Sequence, residues 1–320
     1  MIEIYEGNEE NRTYIQRYLN NIRSLAPFAI VTLPNYATVA NIIESGEFPH
    51  IDIDLFWNAV NRAKAIIQDE YSEEFSLIDP RRYIFGISEK PTALGGFHSK
   101  WSVGYHQLYQ AGFGVLLNPS RVKDVRVRTA EAVRSYLHDC LHYSSFHLYA
   151  IRPHKSLTAS EAKRSEPKVY RRQYGFSFRN CEGVAYSDKE LTARVPNAIN
   201  LNLLMDGIVM ITAGSLIKRL FTVENLTPFD RSVFAEVIGE PIEASGYEHA
   251  LKFFQSVTRP TQLFIEKWGG DEFLKIAFQA MMTGLVDPLK TYFERKHGED
   301  GAWENTFMST KYRAWMDAQG

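Results

Sequence analysis

A chain of 320 residues holds one large domain or two ordinary ones, and 45% hydrophobic residues with 13% aromatics support a substantial core. A formal charge of -2 argues against a dedicated nucleic-acid binder, and two cysteines, Cys140 and Cys181, exclude a disulfide-built scaffold and suit a reducing compartment. The opening MIEIYEGNEENRTY places acids where a cleaved signal needs a basic end and an apolar run. Cytoplasmic residence is therefore expected, with export by a route that cleaves no signal as the other case.

Residues 1–80 read as a helical N-terminal region of unknown role. Apolar residues recur at helical spacing over 11–25 (Tyr14, Tyr18, Ile22) and over 55–71 (Phe56, Val60, Ala63, Ile67). Between them, residues 28–33 form a short β-rich run stopped by Pro34. From residue 81 the pattern changes. Strands are expected over 83–87 and 112–117, the second stopped by Asn118-Pro119, and a Gly- and aromatic-rich connection over 94–109 carries His98 and His106. A helix is expected over 125–148, with Thr129 as N-cap, Glu131 in the first turn, and Ala130, Val133, Leu137 and Leu141 as its apolar stripe.

Residues 153–167, bounded by two prolines, read as an exposed loop. Residues 169–178, interrupted by Gly175, read as a hairpin or bulged strand. From Glu182 onward the chain reads as almost entirely helical. Residues 201–221 have the length of a membrane span, but Asp206 near the middle costs about 2.5–3.5 kcal/mol on insertion. A buried core helix and no membrane span is the better expectation. The organisation is thus 1–80, then 81–320, the latter divided into a sheet with motif helix (81–150), a loop and hairpin (151–180), and a helical part (181–320).

The chemistry concentrates at His138-Asp139-Cys140-Leu141-His142. Side chains four residues apart share one helix face, so both imidazoles can converge on one metal ion. Zinc hydrolysis needs three protein ligands and an open position. The best third candidate is Glu182 in NCEGVAY (180–186), where an acid at a helix start, followed by Gly and small residues, lets that helix pack closely on the motif helix. A Cys181 thiolate is a lesser candidate, and small buried packing residues are the plainer reading of both cysteines.

HxxxH on a helix followed by Asn-x-Glu-Gly-hydrophobic-Ala-Tyr resembles the gluzincin metallopeptidases, relatives of thermolysin and aminopeptidase N. The resemblance covers about residues 80–285. It implies an α+β, zincin-like catalytic domain, with a small mixed sheet, an edge strand, the motif helix and a mainly helical C-terminal part. It further implies zinc on His138, His142 and Glu182, with Asp139 as general base. An extended peptide would lie along Gly114, Val115 and Leu116. The run from Gly246 through EKWGG (266–270) nominates Tyr247, with His249 as a nearby substitute, to stabilise the oxyanion. The family keeps Glu where this chain has Asp139, which reaches one methylene less, and a base misplaced by about 1 Å costs on the order of 100-fold in rate. The expected function is zinc-dependent cleavage of peptide bonds in a peptide or protein substrate, tilted toward internal attack. An inactive peptide- or protein-binding module of the same fold is one alternative. An HD-type phosphohydrolase built on His138-Asp139 and His106 is another, and it would require an all-helical bundle.

Overall fold

The structure is a computed structural model that describes residues 2–25, 36–46, 48–71, 75–88, 95–103, 106–152, 169–179, 185–186, 201–240, 248–307 and 309–319. Its strands are β1 (Glu3–Tyr5), β2 (Tyr36–Thr38), β3 (Tyr83–Ile87), β4 (Gly95–Val103), β5 (His106–Leu117), β6 (His147–Ile151), β7 (Val169–Tyr174), β8 (Ser177–Arg179) and β9 (Ala185–Tyr186). Its helices are α1 (Glu9–Leu25), α2 (Val39–Ser45), α3 (Ile53–Tyr71), α4 (Val125–Ser144), α5 (Asn202–Leu220) and α6 (Pro228–Val237). They continue with α7 (Glu248–Trp268), α8 (Asp271–Thr283), α9 (Asp287–His297), α10 (Ala302–Phe307) and α11 (Ser309–Gln319). The chain is therefore α+β, with two small mixed sheets in the orders β1-β6-β7-β8-β9 and β2-β3-β5-β4.

Helix α4 is the axis of the packing. Sixteen of its residues are buried, so it is covered on almost every side, and polar residues along it have to find partners inside the protein. Helices α2 and α3 belong to the same core, while Ile15 and Leu19 of α1 pack in a separate cluster with Tyr149 and Val169. Phe56, Val60, Ala63 and Ile67 of α3 pack in one cluster with Val133, Tyr136 and Leu137 of α4. Tyr136 donates to the Ile78 carbonyl at 2.7 Å, and the Phe56 and Tyr136 rings meet edge to face at 5.6 Å. Strand β1 runs parallel to β6, so the first residues complete a sheet built mainly from the middle of the chain.

Several local expectations change. Asp124, not Thr129, caps α4, accepting from Arg126 N at 2.7 Å and Val127 N at 3.2 Å. Thr129 lies a full turn inside, where its hydroxyl donates to Val125 O and accepts from Asp52 N, tying α4 to the start of α3. The helix stops at Ser144 because His147–Ile151 are taken by the sheet. Ala185 and Tyr186 pair with β8 as a strand where a helix start was expected. The hairpin over 169–178 is present, and Gly175 at φ +53° occupies the first loop position, where a two-residue turn needs positive φ. The β-rich run at 28–33 and the loop at 153–167 lie outside the described residues.

The most consequential change concerns β5. It pairs in parallel with β3 and antiparallel with β4, so the backbones of Gly114, Val115 and Leu116 face Ile84, Phe85 and Gly86 on one side and Phe97, Gly96 and Gly95 on the other. An interior strand has no free ladder to offer an extended peptide, and the outer edge of this sheet belongs to β4.

No helix among the described residues is long and apolar enough to cross a membrane. The segment that raised the question, α5, is mostly buried as a core helix, with Ser215, Lys218 and Arg219 exposed. The C-terminal helices close around Phe264, whose ring lies 5.4–5.8 Å from those of Phe273, Phe307, Tyr312 and Trp315. Truncating so many aromatic contacts at once leaves a cavity, and Phe264→Ala should lower unfolding stability by about 3–5 kcal/mol in urea denaturation. A loss under 1 kcal/mol would mean these helices are not docked as described.

Candidate metal centre

His138 and His142 project from the same side of α4, with ring centres 4.7 Å apart and planes at 72°. Two imidazoles on one tetrahedral zinc, with Zn–N near 2.0–2.1 Å, place their ring centres about 5 Å apart. The rings are in edge-to-face contact, near enough to serve one ion if their nitrogens turn to a common point. His142 is held from behind. Its carbonyl accepts from the Tyr174 hydroxyl at 3.3 Å, and its ring stacks on that of Tyr174 at 5.9 Å. Tyr174 is in turn capped by the Arg171 guanidinium, 4.0 Å above the ring.

Opposite His142 stands Asp206 of α5, with Oδ1 3.3 Å from Nε2 of His142. A charge-assisted hydrogen bond is normally about 2.7–2.9 Å long. Two donors that share one tetrahedral ion at about 2.0–2.1 Å each lie about 3.3 Å from one another. The Asp206 side chain is 39% exposed while that of His142 is 10% exposed, so the pair marks the boundary between core and solvent. Gly207, next to Asp206, explains how α5 is seated. A Cβ there would overlap the Thr261 side chain, so a larger residue would push α7 off α5. As they stand, no three His, Cys, Asp or Glu side chains among the described residues converge on a common metal position.

Asp139 is not in this group. One residue on from His138 is a rotation of about 100° round the helix, and while His142 faces Asp206 of α5 the Asp139 carboxyl enters the core beside Tyr83 of β3. It is 5% exposed. Burial pushes its carboxyl well above the usual carboxylate range, with Arg134 and the Tyr83 hydroxyl pulling the other way. Cys140 is fully buried beside Ile78 and its thiol is pushed up by burial, as befits a packing residue. Glu182, Cys181 and Tyr247 lie outside the described residues. Gly114, Val115 and Leu116 are placed in the interior strand described above.

Asp206 is the acid that the structure places beside His142, and it is not among the residues expected from the sequence. The only local signal for it in the sequence is an acid followed by Gly within a mainly apolar helix. Comparison of the chain with protein-family models, with curated proteins and with solved structures finds no match.

Proposed function

We propose that the chain is a zinc-dependent hydrolase acting on peptide bonds, with His138 and His142 as ligands and Asp206, whose carboxylate would have to turn to meet both imidazoles, in the third position first expected of Glu182. The observation that carries this reading is the 3.3 Å approach of Asp206 to an imidazole whose helical partner is near enough to serve the same ion. Two imidazoles and one carboxylate form a donor set that zinc accepts in catalytic sites. Zinc held there would supply Lewis acidity, polarising a carbonyl and acidifying water. The protein's part is to fix the donors. Tyr174 orients His142, and the close seating of α5 on α7 at Gly207 sets the depth of Asp206. Asp139 serves as general base only when ionised, and its burial works against that state.

The buried Asp139 favours a second reading, a non-catalytic module that binds a peptide or protein with the same scaffold. The HD-type alternative has little support, because it calls for an all-helical bundle and His106 opens a strand.

Turnover of a mixed peptide library separates the first two readings. A hydrolase should cleave, lose cleavage on addition of a chelator, and regain it with zinc. Asp139→Asn should then lower the rate by about 100-fold or more while leaving metal content unchanged. Absence of any chelator-sensitive cleavage would leave the binding module. Cleavage undiminished in Asp139→Asn would remove Asp139 from the reaction.

A further inference from the structure

A concavity lies near the start of α4, where Asp52 N meets the Thr129 hydroxyl. A surface cleft of about 710 Å³ is formed by the end of α2, Gly46, the segment 48–52 and the first turn of α3, with Ile43, Phe48, Ile51, Ile53 and Trp57 in its walls and Asp52 and Asp54 among its lining. Its volume falls in the range of roughly 300–1,000 Å³ usual for small-ligand sites. The Trp57 ring is fixed by edge-to-face packing on Phe56 at 5.2 Å and Tyr136 at 6.1 Å, so the wall is preformed. Ile43 is 47% exposed, a large apolar side chain left facing water at the cleft.

The charge here is one-sided. Residues 24–61 contain Glu44, Glu47, Asp52 and Asp54 and no Lys or Arg, in a chain with 36 basic and 38 acidic residues overall. Asp52 accepts from Leu55 N at 2.9 Å as the cap of α3, which leaves its negative charge in place, and Asp54 is an exposed acid in the first turn. No ion pair among the described residues engages either. The neighbouring cation, Arg128, is buried and turned inward, donating to the carbonyls of His50, Val122 and Lys123. Burial and then the neighbouring Arg128 push the His50 imidazole below its usual value, which disfavours a positive charge there.

We propose that this cleft docks a polypeptide segment through an arginine or lysine side chain, its methylene stem lying on Trp57, Phe48 and Ile43 and its charged head meeting Asp52 and Asp54. Long basic side chains bury their stems along apolar walls and keep their charge at the rim. An indole face adds attraction for the cation, and carboxylates supply charge-assisted hydrogen bonds. The cleft is tied to α4 at Thr129, nine residues from His138, which is about 14 Å along the helix axis. It is therefore a site separate from the histidine pair and does not rest on the metal reading.

The test uses full-length protein carrying His142→Ala, so that the outcome is independent of the metal centre and no peptide is cut. Fluorescence anisotropy of labelled Ala-Leu-Arg-Leu-Ala should show saturable binding that weakens with salt, and the same peptide with Glu for Arg should not bind. Asp52→Asn with Asp54→Asn should lower affinity at least tenfold with the fold intact by circular dichroism, since Asn still caps α3. Ile43→Lys, at an exposed position, should weaken binding to a similar extent. Equal binding of the Arg and Glu peptides, no binding of either, or undiminished binding by both variants would overturn the proposal. So would a dimer in sedimentation that Ile43→Lys dissolves, because the cleft would then belong to a second copy of the chain.

Discussion

Asp206→Asn is expected to strip zinc from the purified protein. Wild-type chain should carry about one ion, and the variant should lose more than about 100-fold in affinity, beyond the 10- to 100-fold typical of losing a mere supporting partner. His142→Ala should do the same. The substitution Asp206→Asn keeps the size and much of the hydrogen bonding of the side chain and removes its charge, so the readout is metal content and not folding. Glu182→Gln is the decisive companion. If Asp206 is the third ligand, the Glu182 variant retains its zinc; if Glu182 is the ligand, the two results exchange. Equal zinc in all four proteins would reduce the His142–Asp206 approach at 3.3 Å to an ion pair at the edge of the core.

What was legible in the sequence divides along the range of the interactions involved. Helical period and strand alternation are local, so α1, α3, α5 and β3 emerge within a residue or two of their expected bounds. That His138 and His142 share one helix face is also local, and their rings meet edge to face at 4.7 Å. Long-range partners were less visible. Gly112 to Leu117 has the composition of a strand, but nothing within it says that the Gly-rich stretch before it folds back as β4 and turns an edge into an interior strand. Thr129 has the chemistry of a cap, yet Asp124 takes the cap and Thr129 is claimed by a residue 77 positions away. Asp206 was read for its cost in a membrane and not for its prospects as a ligand, because its partner, His142, is 64 positions earlier and on another helix. Asp139 shows the limit of a motif. The letters match a base beside a ligand, but the rotation of α4 that presents His142 to Asp206 of α5 sends the neighbouring acid to Tyr83.

The second large effect lies in the stretch of α4 that precedes the histidines. Glu131 and Glu236 of α6 are buried around Arg134, and neither oxygen of Glu236 has a hydrogen-bond partner among the described residues. Burial pushes Glu131 up to about 7, with Arg134 and then Arg128 opposing, and pushes Glu236 up to about 8, with Arg134 opposing and Glu131 adding to the rise. Arg134, shared by Glu131, Glu236 and Asp139 and helped by Arg128 only at Glu131, thus faces more carboxyl groups than it can neutralise in a low-dielectric interior, and protonation relieves the excess. A carboxyl group whose folded-state value is raised binds its proton more tightly when folded than when unfolded. Stability should therefore be highest below the ordinary glutamate value of 4.5 and fall as pH rises to about 8. His147 acts in the opposite sense. It is buried and held well below 6.5, so its contribution is complete above 6.5 and lost on acidification, which offsets the glutamates in the acid range. The clear window is pH 6.5 to 8.5. There, unfolding free energy from urea titrations should drop by about 2–3 kcal/mol. Glu236→Gln should remove most of that slope, whatever constant offset the amide introduces, because the group with the higher value can no longer ionise. A wild-type profile that is flat from 6.5 to 8.5, or a slope unchanged in Glu236→Gln, would mean that Glu236 is ionised in the folded protein and that Arg134 belongs to it.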